Sequence, residues 1–476
     1  MTKLQTVSLV GLLVYFAVLL LAVSREKKNH SVLDYFFAGR TLPAWALSIT
    51  FIASWWGAGS ALSTADLAYQ QGLGAFWYYG VPVLLSTLLI TIAAKAIRRV
   101  GFLTQGKMME ERYSKGVSKM LSVMILLFMT FSAASQMVGV GNFFGTYLGL
   151  DYEAAVLLGT LIVLIYSLFG GFRGVVLTDI IQFWLLVLAA VAVFGIAMFH
   201  AGGIDGIGQA AQSAGKQDYM SIMAGAGDYI VYIITFGCAW TIQANVWQRI
   251  SATKTSRDAR RMAMIGFFAY IPLYLIVVLS GMAAFVLFDA MPEGGVVTAI
   301  VMDYMPPALG ALVFVGISAA IMSTMDSLIN TGAMTLTIDL NLRPMEEQAQ
   351  LRFSRIATLC VTAAALLIAL KIRSILEIAW IASDMITTGA FIPLIAGFIW
   401  RRGNRQGALA AMLSGLAYCG YHLMIQLGVP LPSFWEQQSA LRIVLGVAGS
   451  ALVYVLVSLC TPPDYEWANR FMDQTG

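Results

Sequence analysis

The sequence predicts an all-α integral membrane protein with about 13 transmembrane helices. Of its 476 residues, 59% are hydrophobic and only 11% are charged, whereas a soluble domain carries about 25% charge. Apolar runs of about 20 residues, the length that crosses a bilayer, recur from Leu4 to Cys460. Because no polar stretch is long enough for a separate domain, we expect residues 1–476 to form a single transmembrane domain.

The candidate spans follow one another closely along the chain. The first run continues into Ser24-Arg25-Glu26-Lys27 instead of a small-residue cleavage site, which indicates a retained helix and not a signal peptide. In order, the predicted spans cover residues 4–24, 43–68, 75–97, 118–147, 152–169, 174–199, 227–247, 258–288, 307–339, 352–370, 374–400, 406–427 and 439–460.

Lysine and arginine are distributed unevenly between the links that join these spans. If the N-terminus is outside, 24 of the 29 Lys and Arg residues fall on the cytoplasmic side. Cytoplasmic links are enriched in these residues, so the split supports the span count and predicts an outside N-terminus and a cytoplasmic C-terminus. We therefore expect a multi-pass protein of the plasma membrane, which in a bacterium is the inner membrane.

Cysteine and histidine give no sign of enzyme chemistry. Each of the four cysteines falls inside an apolar run, where packing as a small hydrophobic residue is the simplest interpretation. The three histidines are far apart in the sequence and form no i, i+4 pair. This pattern argues against a zinc enzyme or a haem protein, so we expect no enzymatic activity and no organic cofactor.

Small and polar residues crowd the middle of the second span, at Ser54, Gly57, Gly59 and Ser60. Each glycine weakens a helix by about 1 kcal/mol, and an irregular backbone at mid-membrane is tolerated only where it lines a cavity. Close packing against another helix is the alternative explanation of such residues. The residues alone favour neither interpretation over the other.

The ninth span carries Ser323, Thr324, Asp326, Ser327 and Asn330 within eight residues. Ser323 and Ser327 are one turn apart on one helix face, and Asp326 flanks that face. Hydroxyl groups in helices also bond to the carbonyl four residues earlier, but this does not account for a carboxylate in the same turn. The cluster therefore predicts a cage of oxygen ligands for a hard cation such as sodium.

Acidic residues inside two further spans are candidates for function because charge is costly in a bilayer. Asp179 lies about two turns inside Arg173 in the sixth span, where it caps locally, pairs with a cation or takes up a proton. Asp384 lies deep in the eleventh span, seven residues after Glu377 and roughly on the same helix face.

Four regions of the sequence form recognisable motifs. They are Asp34-Tyr-Phe-Phe-Ala-Gly-Arg40, Arg98-Arg-Val-Gly-Phe-Leu-Thr-Gln105 with Glu110-Glu-Arg-Tyr113, Gly170-Gly-Phe-Arg173 with Thr178-Asp179, and Ala320-Ile-Met-Ser-Thr-Met-Asp-Ser327. These motifs resemble the sodium/solute symporter family, which includes bacterial proline, sialic acid and galactose symporters. The likeness extends over most of the chain, and the last two regions are the most specific.

The resemblance implies a LeuT-like core of two inverted repeats of five helices each. The first repeat would cover residues 43–199 and the second 227–400, with an extra N-terminal helix at 4–24 and two C-terminal helices at 406–460. The predicted spans agree with this arrangement, since the second span enters from the inside and the seventh from the outside, as inverted repeats require.

The resemblance also implies three groups of site residues. The main sodium site would use the carbonyls of Ala53, Trp56 and Ala320 and the hydroxyls of Ser323 and Thr324. A possible second sodium site would use Asp179, Asp326 and Ser327 together with Ser323, although Asp326 stands where the sialic acid branch has a serine. The substrate-binding positions would be Ser60, Phe76, Tyr79, Gln136, Trp240, Gln243 and Asp384.

The resulting hypothesis is a secondary active transporter that imports a small polar organic solute with sodium by alternating access. An amino acid, an amine or a sugar fits the expected cavity, and sodium ions, the solute and membrane lipid are the expected partners, with no nucleic acid. One alternative is a proton-coupled symporter of the same fold, with Asp179, Asp326 or Asp384 as the proton carrier. A transporter-like membrane sensor is the other.

Overall fold

The computed structural model describes residues 2–24, 31–227, 229–341, 345–426, 428–432 and 440–474. All regular secondary structure in these ranges is helical, as the apolar runs predict. Residues 25–28, which follow the first predicted span, lie outside the described residues.

The helices of the first part of the chain include one span that is broken in the middle. They are α1 (Lys3–Ser24), α2 (Val32–Phe37), α3 (Ala44–Ala53), α4 (Thr64–Gln71), α5 (Gly80–Val100), α6 (Gln105–Arg112), α7 (Lys115–Leu148), α8 (Tyr152–His200) and α9 (Gly203–Ser213). Short helical turns extend some of them, at Ala38–Arg40, Gly59–Ser63 and Gly72–Trp77.

The helices of the second part include another broken span. They are α10 (Ile230–Thr241), α11 (Ala244–Ala252), α12 (Ser256–Leu287), α13 (Val296–Tyr304), α14 (Pro307–Met334), α15 (Glu347–Lys371), α16 (Ile375–Gly389), α17 (Phe391–Ile399), α18 (Arg405–Gln426), α19 (Ala440–Cys460) and α20 (Tyr465–Asp473). A π-helical turn, Thr335–Asp339, continues α14.

Ten helical segments of the described residues are long and apolar enough to cross a membrane, or twelve if each of two bent pairs is one span. One pair is Val32–Arg40 with Ala44–Ala53, bent by 113°, and the other is Ile375–Gly389 with Phe391–Ile399, bent by 42°. The molecule is therefore a multi-pass membrane protein, but the count of 13 spans stays a prediction.

The long helix α8 shows why the count is open. Its 49 residues would extend about 74 Å if straight, more than twice the thickness of the hydrocarbon core. Gly171, with φ 53° and ψ −161°, interrupts the helix. The interruption lies close to the boundary between the shorter apolar segment Tyr152–Leu168 and the candidate span Gly170–His200. Only glycine adopts such a backbone conformation without strain.

Helix α14 lies at the centre of the bundle. Every residue from Val313 to Met334 is buried, and the helix packs against α1, α7, α8 and α15. The outer surface is apolar instead, as expected for a protein surrounded by lipid. More than half of the residue surface is exposed at Leu13, Trp184, Leu188, Phe199, Leu452 and Leu459.

Candidate functional site

The second predicted span is interrupted at the centre of the protein. Helix α3 ends at Ala53, the backbone is irregular from Ser54 to Gly57, and a π-helical turn at Gly59–Ser63 leads into α4. Of the two interpretations of its small residues, the structure supports the break. Gly57 and Gly59 also permit a close approach of side chains from other helices.

Two glycines of the break leave space for the polar groups that face it. A Cβ added at Gly57 would lie 2.2 Å from Gln136 Oε1, and one added at Gly59 would lie 2.3 Å from the Tyr79 hydroxyl. Gln136 Oε1 accepts a hydrogen bond from the backbone N–H of Ala58 at 2.8 Å. The amide of Gln136 therefore caps the start of the second half of the helix, where backbone N–H groups lack helical acceptors.

Oxygen atoms of α3 and α14 converge beside the break. Ser323 Oγ lies 3.2 Å from the Ala53 carbonyl oxygen and 3.0 Å from that of Ala320. Thr324 Oγ1 lies 3.2 and 3.4 Å from the same two carbonyls. Trp56 lies at the next turn, and its N–H donates to Ala53 O at 3.4 Å. The structure thus brings together four of the five predicted oxygen atoms, with Trp56 adjacent.

The spacing of these oxygens suits a small hard cation. Ligands at about 2.4 Å from an ion, at right angles to each other, are about 3.4 Å apart, and hard cations prefer such oxygen ligands. The two hydroxyls and two carbonyls fall in this range and are buried, with at most 5% of each residue exposed. They also lie on different helices, so an ion bound there would join α3 to α14.

The residues of the possible second sodium site surround an arginine side chain. Arg249 Nη2 donates to Ser327 Oγ at 2.6 Å and lies 3.4 Å from Asp179 Oδ2. The hydroxyl of Thr50 also donates to Asp179, and Ser327 Oγ lies 3.3 Å from Asp326 Oδ1. Of the alternatives for Asp179, pairing with a cation is the one observed, although the cation is Arg249 and not the nearby Arg173.

This cluster is fully enclosed by protein. Arg249, Asp179 and Asp326 have no exposed surface, and Arg249 also donates to the Thr50 carbonyl at 3.1 Å and to the Asn245 carbonyl at 2.9 Å. Asp179 contacts the Arg249 guanidinium directly, and Asp326 is connected to it through Ser327. With both carboxylates ionised, the cluster would carry one excess negative charge. Asp179 Oδ1 and Asp326 Oδ2 accept no hydrogen bond from the described residues.

A cavity adjoins the break. Aromatic rings and neutral polar groups form its walls, and no charged side chain is among its lining in the described part of the chain. The lining residues are Trp55, Gly57, Gly59, Ser60, Tyr79, Ser132, Ser135, Gln136, Trp240, Gln243, Thr324, Leu328, Ala379 and Ser383. Such a mixture of aromatic walls and a few polar groups is typical of small-molecule sites.

Five of the seven predicted substrate positions line this cavity, namely Ser60, Tyr79, Gln136, Trp240 and Gln243. Ser60 Oγ is 2.7 Å from the Tyr274 hydroxyl. The ring of Trp240 lies 4.9 Å from that of Tyr79 and stacks on Phe236 at the same distance.

The structure does not bring the other two predicted substrate positions to the cavity wall. The ring of Phe76 is directed at Gly80, where an added Cβ would lie 3.1 Å from it. Asp384 is buried against α19, where its carboxylate pairs with Arg442. Its neighbour Ser383 lines the cavity in its place. The expectation that Asp384 binds the substrate therefore lacks support from the geometry.

A second break, which the sequence analysis did not identify, faces the first. The seventh span is divided between α10, which ends at Thr241, and α11, which begins at Ala244. Gln243 lies between the two halves, and its Oε1 accepts a hydrogen bond from Trp55 Nε1. The β-branched pair before Gln243 and the polar Asn245 after it are the only local signals, since this span has no proline at the break.

Two broken membrane helices that meet at a buried polar cavity define a secondary transporter of small solutes. The chain belongs to the sodium:solute symporter family, whose sequence profile matches residues 35–415. The predicted resemblance is therefore confirmed, and so is the expectation that the protein is a transporter and not an enzyme.

Curated relatives match nearly the whole chain. The High-affinity proline transporter PutP of Bacillus subtilis is 26% identical over 96% of this chain and 98% of its own length. The Sodium/pantothenate symporter of Escherichia coli is 26% identical over 87% and 91%. High-affinity choline transporter 1 of Caenorhabditis elegans is 25% identical over 85% and 76%. These relatives carry different solutes, so they do not define the solute here.

Solved structures confirm the fold. A sodium-coupled sialic acid symporter in a substrate-bound outward-open state superimposes with a TM-score of 0.78, at 19% identity, over 96% of this chain and 98% of that one. Mhp1, a nucleobase-cation-symport-1 family transporter, gives a TM-score of 0.62 at 13% identity, over 94% and 99%. The predicted LeuT-like core is therefore present.

Proposed function

We propose that the protein imports a small polar organic solute together with sodium by alternating access. The observation that carries this proposal is the convergence of Ser323, Thr324, Ala53 and Ala320 oxygens at the break of α3. With the carbonyl of Trp56, these atoms form the main sodium site. Sodium bound from outside joins α3 to α14 and completes the cavity wall, and solute binding then permits the change to the inward-facing state.

One sodium ion at the main site is the proposed coupling stoichiometry. The guanidinium of Arg249 already contacts Asp179 and Ser327, so it occupies the space that a second ion between these residues would need. A membrane potential of 100 mV contributes about 2.3 kcal/mol for each charge moved inward. That energy corresponds to roughly fifty-fold accumulation of the solute.

The cavity favours a solute without net charge. Its lining offers amide and hydroxyl groups from Gln136, Gln243 and Ser60 beside the rings of Trp55 and Trp240. Burying a net charge among such neutral groups would be costly. A neutral sugar or a zwitterionic amino acid fits this lining, and an amine fits where its charge lies over an aromatic ring.

The proposed orientation places the N-terminus outside and the C-terminus in the cytoplasm of a cell with this protein in its plasma membrane. The asymmetric distribution of Lys and Arg supports it. Residues 43–199 and 227–400 form the two inverted repeats in this proposal, since each begins with a broken span. The breaks meet where Trp55 contacts Gln243.

Uptake into proteoliposomes tests the coupling ion. Pools of radiolabelled amino acids, sugars and amines are offered under an inward sodium gradient, or under an inward proton gradient without sodium. We expect one pool to accumulate only with sodium. A thermal-shift screen with and without sodium then identifies the solute, because a ligand raises the stability of the state that it binds.

Proton coupling is the second candidate, since Asp179 and Asp326 together exceed the charge of Arg249 by one. Accumulation driven by the proton gradient alone would favour this candidate and contradict the sodium proposal. A protein that binds the solute but transports it under neither gradient would instead support the sensor hypothesis.

A further inference from the structure

A second pocket, lined by both apolar and polar residues, lies near one end of the helices that line the solute cavity. It is small and is bordered by α6, α7, α11 and the end of α14. Its polar lining residues are Thr104, Gln105, Gln248, Ser251, Thr335 and Asp339. None of these residues belongs to the sites described above.

The position of this lower pocket relates it to the solute cavity. Helix α14 contributes Thr324 to the cavity and Thr335 to the lower pocket, and eleven residues of helix extend about 16 Å. The chain around α11 likewise contributes Gln243 to the solute cavity and Gln248 to the lower pocket. In the proposed orientation, the lower pocket lies between the cavity and the cytoplasm.

The amide donors of the lower pocket are already bonded to protein. Gln248 Nε2 donates to the Phe36 carbonyl at 2.8 Å and to Asn330 Oδ1 at 3.0 Å. Gln105 Nε2 donates to the Ile242 carbonyl at 2.8 Å. Gln105 is 3% exposed, yet its Oε1 accepts no hydrogen bond from the described residues. A buried oxygen acceptor is therefore available in this pocket.

A carboxylate adds negative charge to this group of acceptors. Thr104 Oγ1 donates to Asp339 Oδ1 at 2.5 Å, and a Cβ added at Gly106 would lie 2.9 Å from the same oxygen. The segment from Thr104 to Gly106 therefore wraps around the Asp339 carboxylate. The nearby Lys107 directs its ammonium to Glu110 at 2.8 Å.

We propose that this lower pocket is a sodium site on the release path, with Asp339 and Gln105 Oε1 as its ligands. One carboxylate with neutral oxygens is the set of ligand atoms that a hard monovalent cation prefers. The inference rests on the proposed function, because it assigns the ion that the main site releases. Binding here is weaker than at the main site, since an ion in transit must leave.

Sodium binding to the purified protein tests the proposal without a known solute. Radioactive sodium is titrated onto the wild type in a scintillation proximity assay. We expect a tight phase, which Ser323→Ala with Thr324→Ala removes, and a weak phase, which those changes leave. Asp339→Asn keeps an oxygen for the Thr104 hydroxyl but removes the charge, so it should weaken the second phase by about tenfold or more.

Three further variants make the result specific. Asp339→Glu should retain the weak phase, because it keeps the carboxylate. Glu347→Gln removes a charge from an exposed position and should leave both phases unchanged, and Asp326→Asn should also leave the weak phase unchanged. A weak phase that is missing in the wild type, or that Asp339→Asn leaves intact, overturns the inference. A tight phase that survives the Ser323→Ala and Thr324→Ala changes would contradict the main sodium site of the proposed function. That result is distinct from the loss or persistence of the weak phase.

Discussion

Replacing Ser323 by alanine removes an oxygen that lies within 3.2 Å of two carbonyl groups of the proposed main sodium site. A hydrogen bond or similar contact to a charged group contributes about 1.5–3 kcal/mol. The single change should therefore weaken sodium binding by about tenfold to 150-fold. Adding Thr324→Ala removes a second contact of the same kind, and the combined loss should exceed about 100-fold.

The measurement is the sodium concentration that gives half-maximal stabilisation of the purified protein, followed by sodium-dependent uptake once the solute is known. Ser318→Ala is a matched control on the same helix. Ser318 is equally buried, but its hydroxyl donates to the carbonyl of Phe314, four residues earlier at 2.6 Å. Its loss should leave sodium affinity unchanged. Wild-type sodium affinity in the double variant, or an equal effect of Ser318→Ala, would refute the site.

Two other changes probe the cavity and the helices around it. Gly57→Ala places a methyl group 2.2 Å from Gln136 Oε1, so the Gln136 side chain, which lines the cavity, must move and uptake should fall strongly at preserved expression. Gly449→Ala, in open space, should be neutral. Equal uptake by both variants would contradict the packing argument. Asp384→Asn removes the carboxylate that pairs with Arg442 and should destabilise the protein by up to about 3–5 kcal/mol, measured by thermal unfolding. Adding Arg442→Gln should restore most of that stability, and no recovery would argue against the pair.

Local sequence patterns predict the part of the main site that lies on one helix. Ser323 and Thr324 are adjacent. Hydroxyl groups within an apolar span cost free energy unless they are bonded, so the sequence already indicates a functional role for this pair. The break near Gly57 is also predictable from the sequence, because two glycines weaken the same turn of the helix. Ala53 and Trp56 are different, because carbonyl ligands carry no side-chain signature. Only the family resemblance relates them to Ser323.

Long-range pairings explain what the sequence does not show. Arg249 looks like one more cytoplasmic cation at the end of a span, and only the packing of α11 against α3 and α14 buries it beside Asp179. Asp384 looks like a free carboxylate in a cavity, but its partner Arg442 is on a helix 58 residues away. Helical periodicity predicts which face of its own helix a residue occupies, but it does not predict which other helix packs against that face.

Thr324 belongs to both the proposed main sodium site and the solute cavity. Its hydroxyl contacts the Ala53 carbonyl in the sodium site, and the same residue lines the solute cavity. An ion that fixes Thr324 against Ala53 thereby fixes part of the cavity wall, so the solute binds a surface that is already ordered. Binding free energies are reciprocal, which means that the solute must tighten sodium binding by the same factor by which sodium tightens solute binding. Coupling between the two ligands therefore follows from one shared residue at the break and requires no charged group in the cavity.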